Sequence, residues 1–254
     1  MKVLSLIIIL FAFASNSIAR DAIRIAYFNV PPHMIFDSTN KKLERSAVYD
    51  LIENYIAPKM GVKFEWQQSP SNIPRQLSSL TSETIDASAL LVYSPERAKE
   101  YIFTREPYIH SNSAIAVLKT NPLQSVMKVE DILGLTIGYA AKTFISPFMR
   151  DKRIKLDLIS SPTFNRHNFK KLLAGRIDGV YAPDKAGLLM VIKEMSIEDK
   201  VRVITLPEKP VNFHIVFSKK NKEMAERFNK AFDELNGRKL YLELLSKYLD
   251  ISKL

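Results

Sequence analysis

Apolar residues change their spacing along this chain in a regular way. Ile23-Arg24-Ile25-Ala26-Tyr27-Phe28 is a β-rich run, halted by Asn29-Val30-Pro31-Pro32, whose prolines cannot donate to a ladder. From Ser46 to Met60 the apolar positions Val48, Leu51, Ile52, Tyr55 and Ile56 recur at three and four, the spacing of one buried helical face. Pro58-Lys59-Met60-Gly61 ends that helix, and Val62-Lys63-Phe64-Glu65-Trp66 alternates as a strand. The order then returns, with a helix over 73–80, a buried strand over 85–92 and another over 114–118.

After Lys119-Thr120-Asn121-Pro122 the plan restarts. A short helix and turn is predicted over 129–134, strands over 135–139, 177–181 and 201–204, and helices over 169–173 and 185–195. A strand over 213–217 and one or two amphipathic helices between Asn221 and Tyr248, punctuated by Asn236-Gly237, close the pattern. Strands alternating with helices predict an α/β chain whose mainly parallel sheets are covered on both faces.

Composition adds the setting. With 254 residues, 46% apolar, the chain can build one or two lobes with real cores. Met1-Lys2, the apolar stretch Val3 to Ala14 and the ending Ser17-Ile18-Ala19 read as a secretory signal peptide cleaved after Ala19. Its apolar run of about a dozen residues falls short of the roughly 20 that cross a bilayer. A periplasmic protein, not inserted in the membrane after cleavage, is therefore expected. With no cysteine it has neither a disulfide nor a lipid-modified cysteine.

The formal charge of +10 favours anionic partners. The bases are dispersed, without an aromatic-plus-arginine platform or zinc-finger spacing, so nucleic acid is not an expected partner. His33, His110, His167 and His214 lack paired-ligand spacing, and no metal is expected. No G-x-S-x-G elbow, P-loop or dinucleotide glycine pattern occurs, so neither a cofactor nor a catalytic set is assigned.

Two segments carry a resemblance. Ser94-Pro95-Glu96-Arg97 through Phe103-Thr104-Arg105-Glu106-Pro107-Tyr108 resembles the "T-x-E-R … F-S-x-P-Y" segment of the bacterial extracellular solute-binding family 3. Leu173-Ala174-Gly175-Arg176-Ile177-Asp178-Gly179 resembles its "L-x-x-G-x-x-D-A" entry to a second-lobe strand, and Asp131-Ile132-Leu133-Gly134 its second-lobe start. The resemblance implies a type II periplasmic-binding-protein fold, two α/β lobes with mainly parallel sheets joined by two hinge strands. Residues 1–19 would be the signal peptide, 20–118 plus 213–254 the first lobe and 119–212 the second. It further implies a monomer that holds a small molecule in the cleft and hands it to an inner-membrane ABC permease.

Arg97 is the leading candidate contact, because a guanidinium fork matches a carboxylate in two parallel hydrogen bonds and the family's arginine in this segment holds the ligand's α-carboxylate. The competing reading is a solvated arginine on a helix that begins at Pro95. Around it the family's amino-acid pocket is eroded. Leu90 and Val92 stand where hydroxyl side chains are common, Val30 where an aromatic is usual, and the acid for the ligand's ammonium falls near Pro183, beside Asp184. An unpaired buried ammonium costs several kcal/mol, so a small carboxylate or an unusual amino-acid derivative is the expected ligand.

The resemblance puts Thr143 where the family has a hydroxyl at a second-lobe helix start, a site suited to anions, with Lys142 in place of a family glycine and Phe144 in place of a further hydroxyl. His33, Tyr27, Tyr93 and Tyr181 complete the candidates, each with surface or core packing as the alternative. Two other functions stay open. One is a sensor or accessory protein without transport; the other is a periplasmic cyclohexadienyl dehydratase using His33, Asp184 or Glu44 as acid or base.

Overall fold

A computed structural model describes residues 22–254 apart from Lys142 and Pro162. The expected leader over 1–19 and the candidate Lys142 therefore lie outside the described residues.

The chain opens with β1 (Ala22–Ala26) and a hairpin of β2 (Ile35–Asp37) and β3 (Lys42–Glu44). The helix expected over 46–60 is continuous but not uniform: α1 (Ala47–Leu51) runs through a π turn (Ile52–Ile56) into α2 (Ala57–Met60). Gly61 stops it in the left-handed region, at φ 64°, with its N–H returned to the carbonyls of Ala57 and Pro58. There follow β4 (Lys63–Trp66), α3 (Ile73–Thr81), β5 (Ala87–Val92), α4 (Pro95–Glu100), β6 (Ile102–Phe103), β7 (Ile109–Ser111) and β8 (Ala114–Leu118). Beyond them lie β9 (Thr136–Ala140), β10 (Lys155–Ile159), α5 (Phe164–Leu173), β11 (Gly179–Ala182), α6 (Lys185–Glu194) and β12 (Val201–Thr205). The chain closes with β13 (Val211–Phe217), α7 (Lys222–Glu234) and α8 (Gly237–Leu245).

Two sheets define two lobes. The first has the order β4-β1-β5-β13-β6, with β7 also on β13; the second is β10-β9-β11-β8-β12. Each is mixed rather than mainly parallel. β1 runs parallel to β4 and β5, and β9 to β10 and β11, but β13 and β8 run against all their neighbours.

The reason lies in how those strands arrive. Parallel strands point their carboxyl ends at the gap between the lobes, whereas β8 and β13 enter from the other lobe and so begin at the gap. Hence Ala114, the first residue of β8, pairs with Ala182 at the end of β11, and Phe213 pairs with Val92 at the end of β5. Residues 114–118 thus belong to the second sheet, not to the first lobe as the 20–118 boundary had it. The two crossings, at 112–113 and 206–210, are tied by Leu206 N–H donating to the Ser113 carbonyl at 2.9 Å.

The cores are separate. Helices α1, α7 and α8 bury Val48, Leu51, Phe228 and Leu244 against Ile23, Ile25 and Ala89 of the first sheet. In the second lobe Phe169, Leu172, Leu188 and Ile192 cover one face, and Ile132, Tyr139, Met149 and Tyr181 the other. Each nearly fully buried aliphatic or aromatic side chain contributes roughly 1.5–3 kcal/mol.

Candidate functional site

A cavity of about 390 Å³ lies between the lobes, at the carboxyl ends of β1, β5, β9, β10 and β11. That is where open α/β sheets offer a crevice. Its wall is largely apolar, with Phe28, Leu90, Val92 and Phe213 from the first lobe and Phe144 and Phe164 from the second.

Arg97 faces this space. Ser94 caps α4 by accepting from the Arg97 N–H at 3.3 Å, and Pro95 occupies the first turn, where its missing N–H costs nothing. The guanidinium is half-buried, and its Nη1 donates to the Val92 carbonyl at 3.0 Å. Among the described residues it has no ion pair. Burial lowers its pKa from the ordinary arginine value, the expected direction for a cation without a nearby acid. Val92 therefore contributes both wall surface and the oxygen that aims the arginine.

Thr143 lines the opposite wall, its hydroxyl donating to the Ala140 carbonyl at 3.0 Å. The Tyr139 hydroxyl donates to the Phe144 carbonyl and pins the loop that carries Thr143.

Asp184 also reaches the wall but is only 5% exposed. As the N-cap of α6 it accepts from Gly187 N–H at 2.8 Å, and it accepts from Ser111 Oγ at 2.6 Å and pairs with His33 Nε2 at 2.9 Å. Burial pushes its carboxyl up, but the His33 ring and these donors outweigh that, so its pKa is lowered.

The other expected contacts lie off the cavity. His33 is buried behind the wall, held between Asp184 and the Tyr241 hydroxyl. Tyr27, just past the end of β1, is fully buried beside Trp66 in the core of the first lobe. Tyr181 packs edge-on against Tyr139 at 4.6 Å in the second core. Tyr93 is 48% exposed and leans on Phe103 and His214, away from the cavity lining.

Sequence reasoning missed several polar wall residues, of which Asn165 and Arg75 bear most on the site. Asn165, in the first turn of α5, lines the cavity with its Oδ1 buried and without a hydrogen-bond partner among the described residues. Arg75, exposed on α3, is a second cation on the lining and has no ion pair among the described residues. Both sit on helices whose spacing reads as ordinary packing, so nothing local distinguishes them. Among the described residues no cluster of His, Asp or Glu is placed to hold a metal, and no helix is long and apolar enough to cross a membrane.

Two mixed α/β sheets joined by paired crossings over a cleft at strand ends define a two-lobed binding-protein fold. Residues 31–251 match the sequence profile of the bacterial extracellular solute-binding proteins, family 3, and the chain belongs to that family. It is similar to an ancestral arginine-binding protein bound to arginine, at 26% identity and a TM-score of 0.74, over 91% of this chain and 99% of the other. The ancestral arginine-binding protein bound to glutamine gives 26% and 0.72, over 91% and 98%. The GluR0 ligand-binding core from Nostoc punctiforme, in complex with L-glutamate, shares the fold at 20% identity and a TM-score of 0.72, over 90% and 99%. No curated protein matches the sequence. The family and its amino-acid-binding neighbours are substrate-binding proteins rather than enzymes, and the dehydratase reading finds no support in them. By its family the chain is a solute-binding protein, and its structural neighbours include amino-acid-binding proteins.

Proposed function

We propose that this protein captures a small solute bearing a carboxylate, with Arg97 as the main anchor, and delivers it to an ABC importer in the inner membrane. In this reading the leader is removed after Ala19 and the protein works in the periplasm. The two sheets form the cores of lobes that close about the crossings at 112–113 and 206–210.

One observation carries the reading: a half-buried guanidinium faces an interlobe cavity with a backbone carbonyl, not a carboxylate, as its partner. Burying a cation without an anion is unfavourable, and a ligand carboxylate relieves that through two charge-assisted hydrogen bonds. The orphan Oδ1 of Asn165 and the Thr143 hydroxyl supply further polar contacts from the second lobe. Arginine, glutamine and glutamate, held by the structural neighbours, have a carboxylate in common.

Calorimetry of the purified protein against a panel of organic acids and amino acids tests the proposal, together with mass spectrometry of whatever copurifies. Carboxylates that bind wild type and fail to bind Arg97→Ala are the expected outcome. Tight binding of a ligand without any acidic group would overturn it.

A further inference from the structure

Asp184 is the single acidic residue on the cavity wall among the described residues, and its carboxylate is held from outside the cavity. His33 and Ser111 approach it from the first lobe, and the Gly187 N–H from its own helix. The helix backbone comes so close that a Cβ at position 187 would lie 2.8 Å from Asp184 Oδ2. Behind His33 stands Tyr241, so both imidazole nitrogens are engaged, and His33, Asp184 and Tyr241 are all buried. Across the cavity, on its first-lobe side, stand Arg97 and Arg75, neither of which has a carboxylate partner among the described residues.

A cationic group entering this cavity meets two guanidinium groups and one acid whose charge already faces an imidazole. An ammonium left unpaired there costs several kcal/mol, whereas an anion gains from the same surroundings.

Resting on the carboxylate reading above, we propose that His33 is a specificity-determining residue. By engaging the Asp184 carboxylate from behind the wall, it occupies the acceptor oxygen that an amino group in the cavity needs. The protein thereby selects carboxylates without an amino group over the matching zwitterions. His33 acts here through Asp184 and does not touch the ligand.

The test is calorimetry of residues 20–254 with ligand pairs that differ by one amino group: succinate against L-aspartate, glutarate against L-glutamate, and butyrate against L-2-aminobutyrate. Wild type is expected to bind the amino-free member of a pair at least about tenfold more tightly, a difference of about 1.4 kcal/mol. His33→Leu, which fills the space without a donor or charge, shrinks that ratio by about tenfold through a gain for the zwitterion. Tyr241→Phe keeps the His33–Asp184 pair and keeps the ratio.

A structural role alone would weaken both members alike and leave the ratio untouched. Wild type preferring the amino-bearing member overturns the proposal whether or not His33→Leu folds, and so does an unchanged ratio in a folded His33→Leu. Binding that Arg97→Ala abolishes while His33→Leu leaves the ratio intact sinks this inference and spares the carboxylate reading. Binding of no pair at all sinks both.

Discussion

The Nη1 atom of Arg97 donates to the carbonyl oxygen of Val92 at 3.0 Å, so a full positive charge is steered by a neutral group five residues earlier in the chain. The arginine is aimed without being neutralised. Arg97→Ala is therefore expected to cost about 3 kcal/mol of ligand binding, roughly 100-fold, on the scale of two charge-assisted hydrogen bonds. Arg97→Lys recovers only part of it, since an ammonium lacks the planar fork. The melting temperature of ligand-free Arg97→Ala should not fall, because no ion pair among the described residues is broken.

Asn165 gives a smaller effect from the opposite lobe. Its buried Oδ1 has no partner among the described residues, so a ligand donor is its natural complement. Asn165→Leu is expected to weaken ligand binding by about tenfold, near 1.4 kcal/mol, while leaving thermal stability equal or higher. Calorimetry and a melting curve on one preparation read both quantities.

Asp86 anchors the first lobe. Its carboxylate is 2% exposed and accepts from Arg24 at Nε, Nη2 and the backbone N–H, at 2.9, 3.0 and 3.0 Å. Burial pushes its pKa up, but Arg24 and Asn221 more than reverse this, and the value is lowered. A depressed folded pKa means the contribution is present above the unfolded value, near pH 4, and is lost as pH falls through the folded one. Asp86→Ala should cost about 3 kcal/mol at neutral pH, because it strands a guanidinium that is itself partly exposed. Urea titrations between pH 7 and pH 2 should show that deficit narrowing on the acid side.

Tyr27 works in the opposite direction. Its hydroxyl is buried without a hydrogen-bond partner among the described residues, and burial pushes its pKa up to about 12. Tyr27→Phe removes an unsatisfied polar group and is expected to raise stability by about 1 kcal/mol. In wild type the folded state holds this proton more tightly than the unfolded chain does. The stability it carries below about pH 10 therefore declines as pH rises towards 12. Tyr27→Phe should show a shallower alkaline decline in denaturant melts.

Much of this architecture is legible in the chain because burial imposes period. The 3.6-residue recurrence of Val48, Leu51, Ile52, Tyr55 and Ile56 reports one buried helical face, and the run Ala87–Val92 a strand buried on both of its faces. The hairpin of β2 and β3 escapes notice since three residues a side cannot display alternation. Strand β10 escapes because it is an edge strand, partly exposed along its whole length.

At the site, Arg97 is readable from a contiguous segment. The engagement of Asp184 by His33 is not, since 151 residues separate the two and only the approach of the lobes unites them. Direction of strands was misjudged for a related reason: periodicity reports which residues are buried, and says nothing of the end from which a strand enters its sheet.

The interleaving of the two sheets also sets an order of assembly. All five strands of the second sheet lie between residues 114 and 205. β13, which bridges β5 to β6 and β7 in the first sheet, comes only afterwards. A polypeptide emerging amino end first can thus complete its middle before its beginning. Until residues 211–217 arrive, β5 keeps an unpaired hydrogen-bonding edge, the state in which a newly made chain most depends on being shielded from its neighbours.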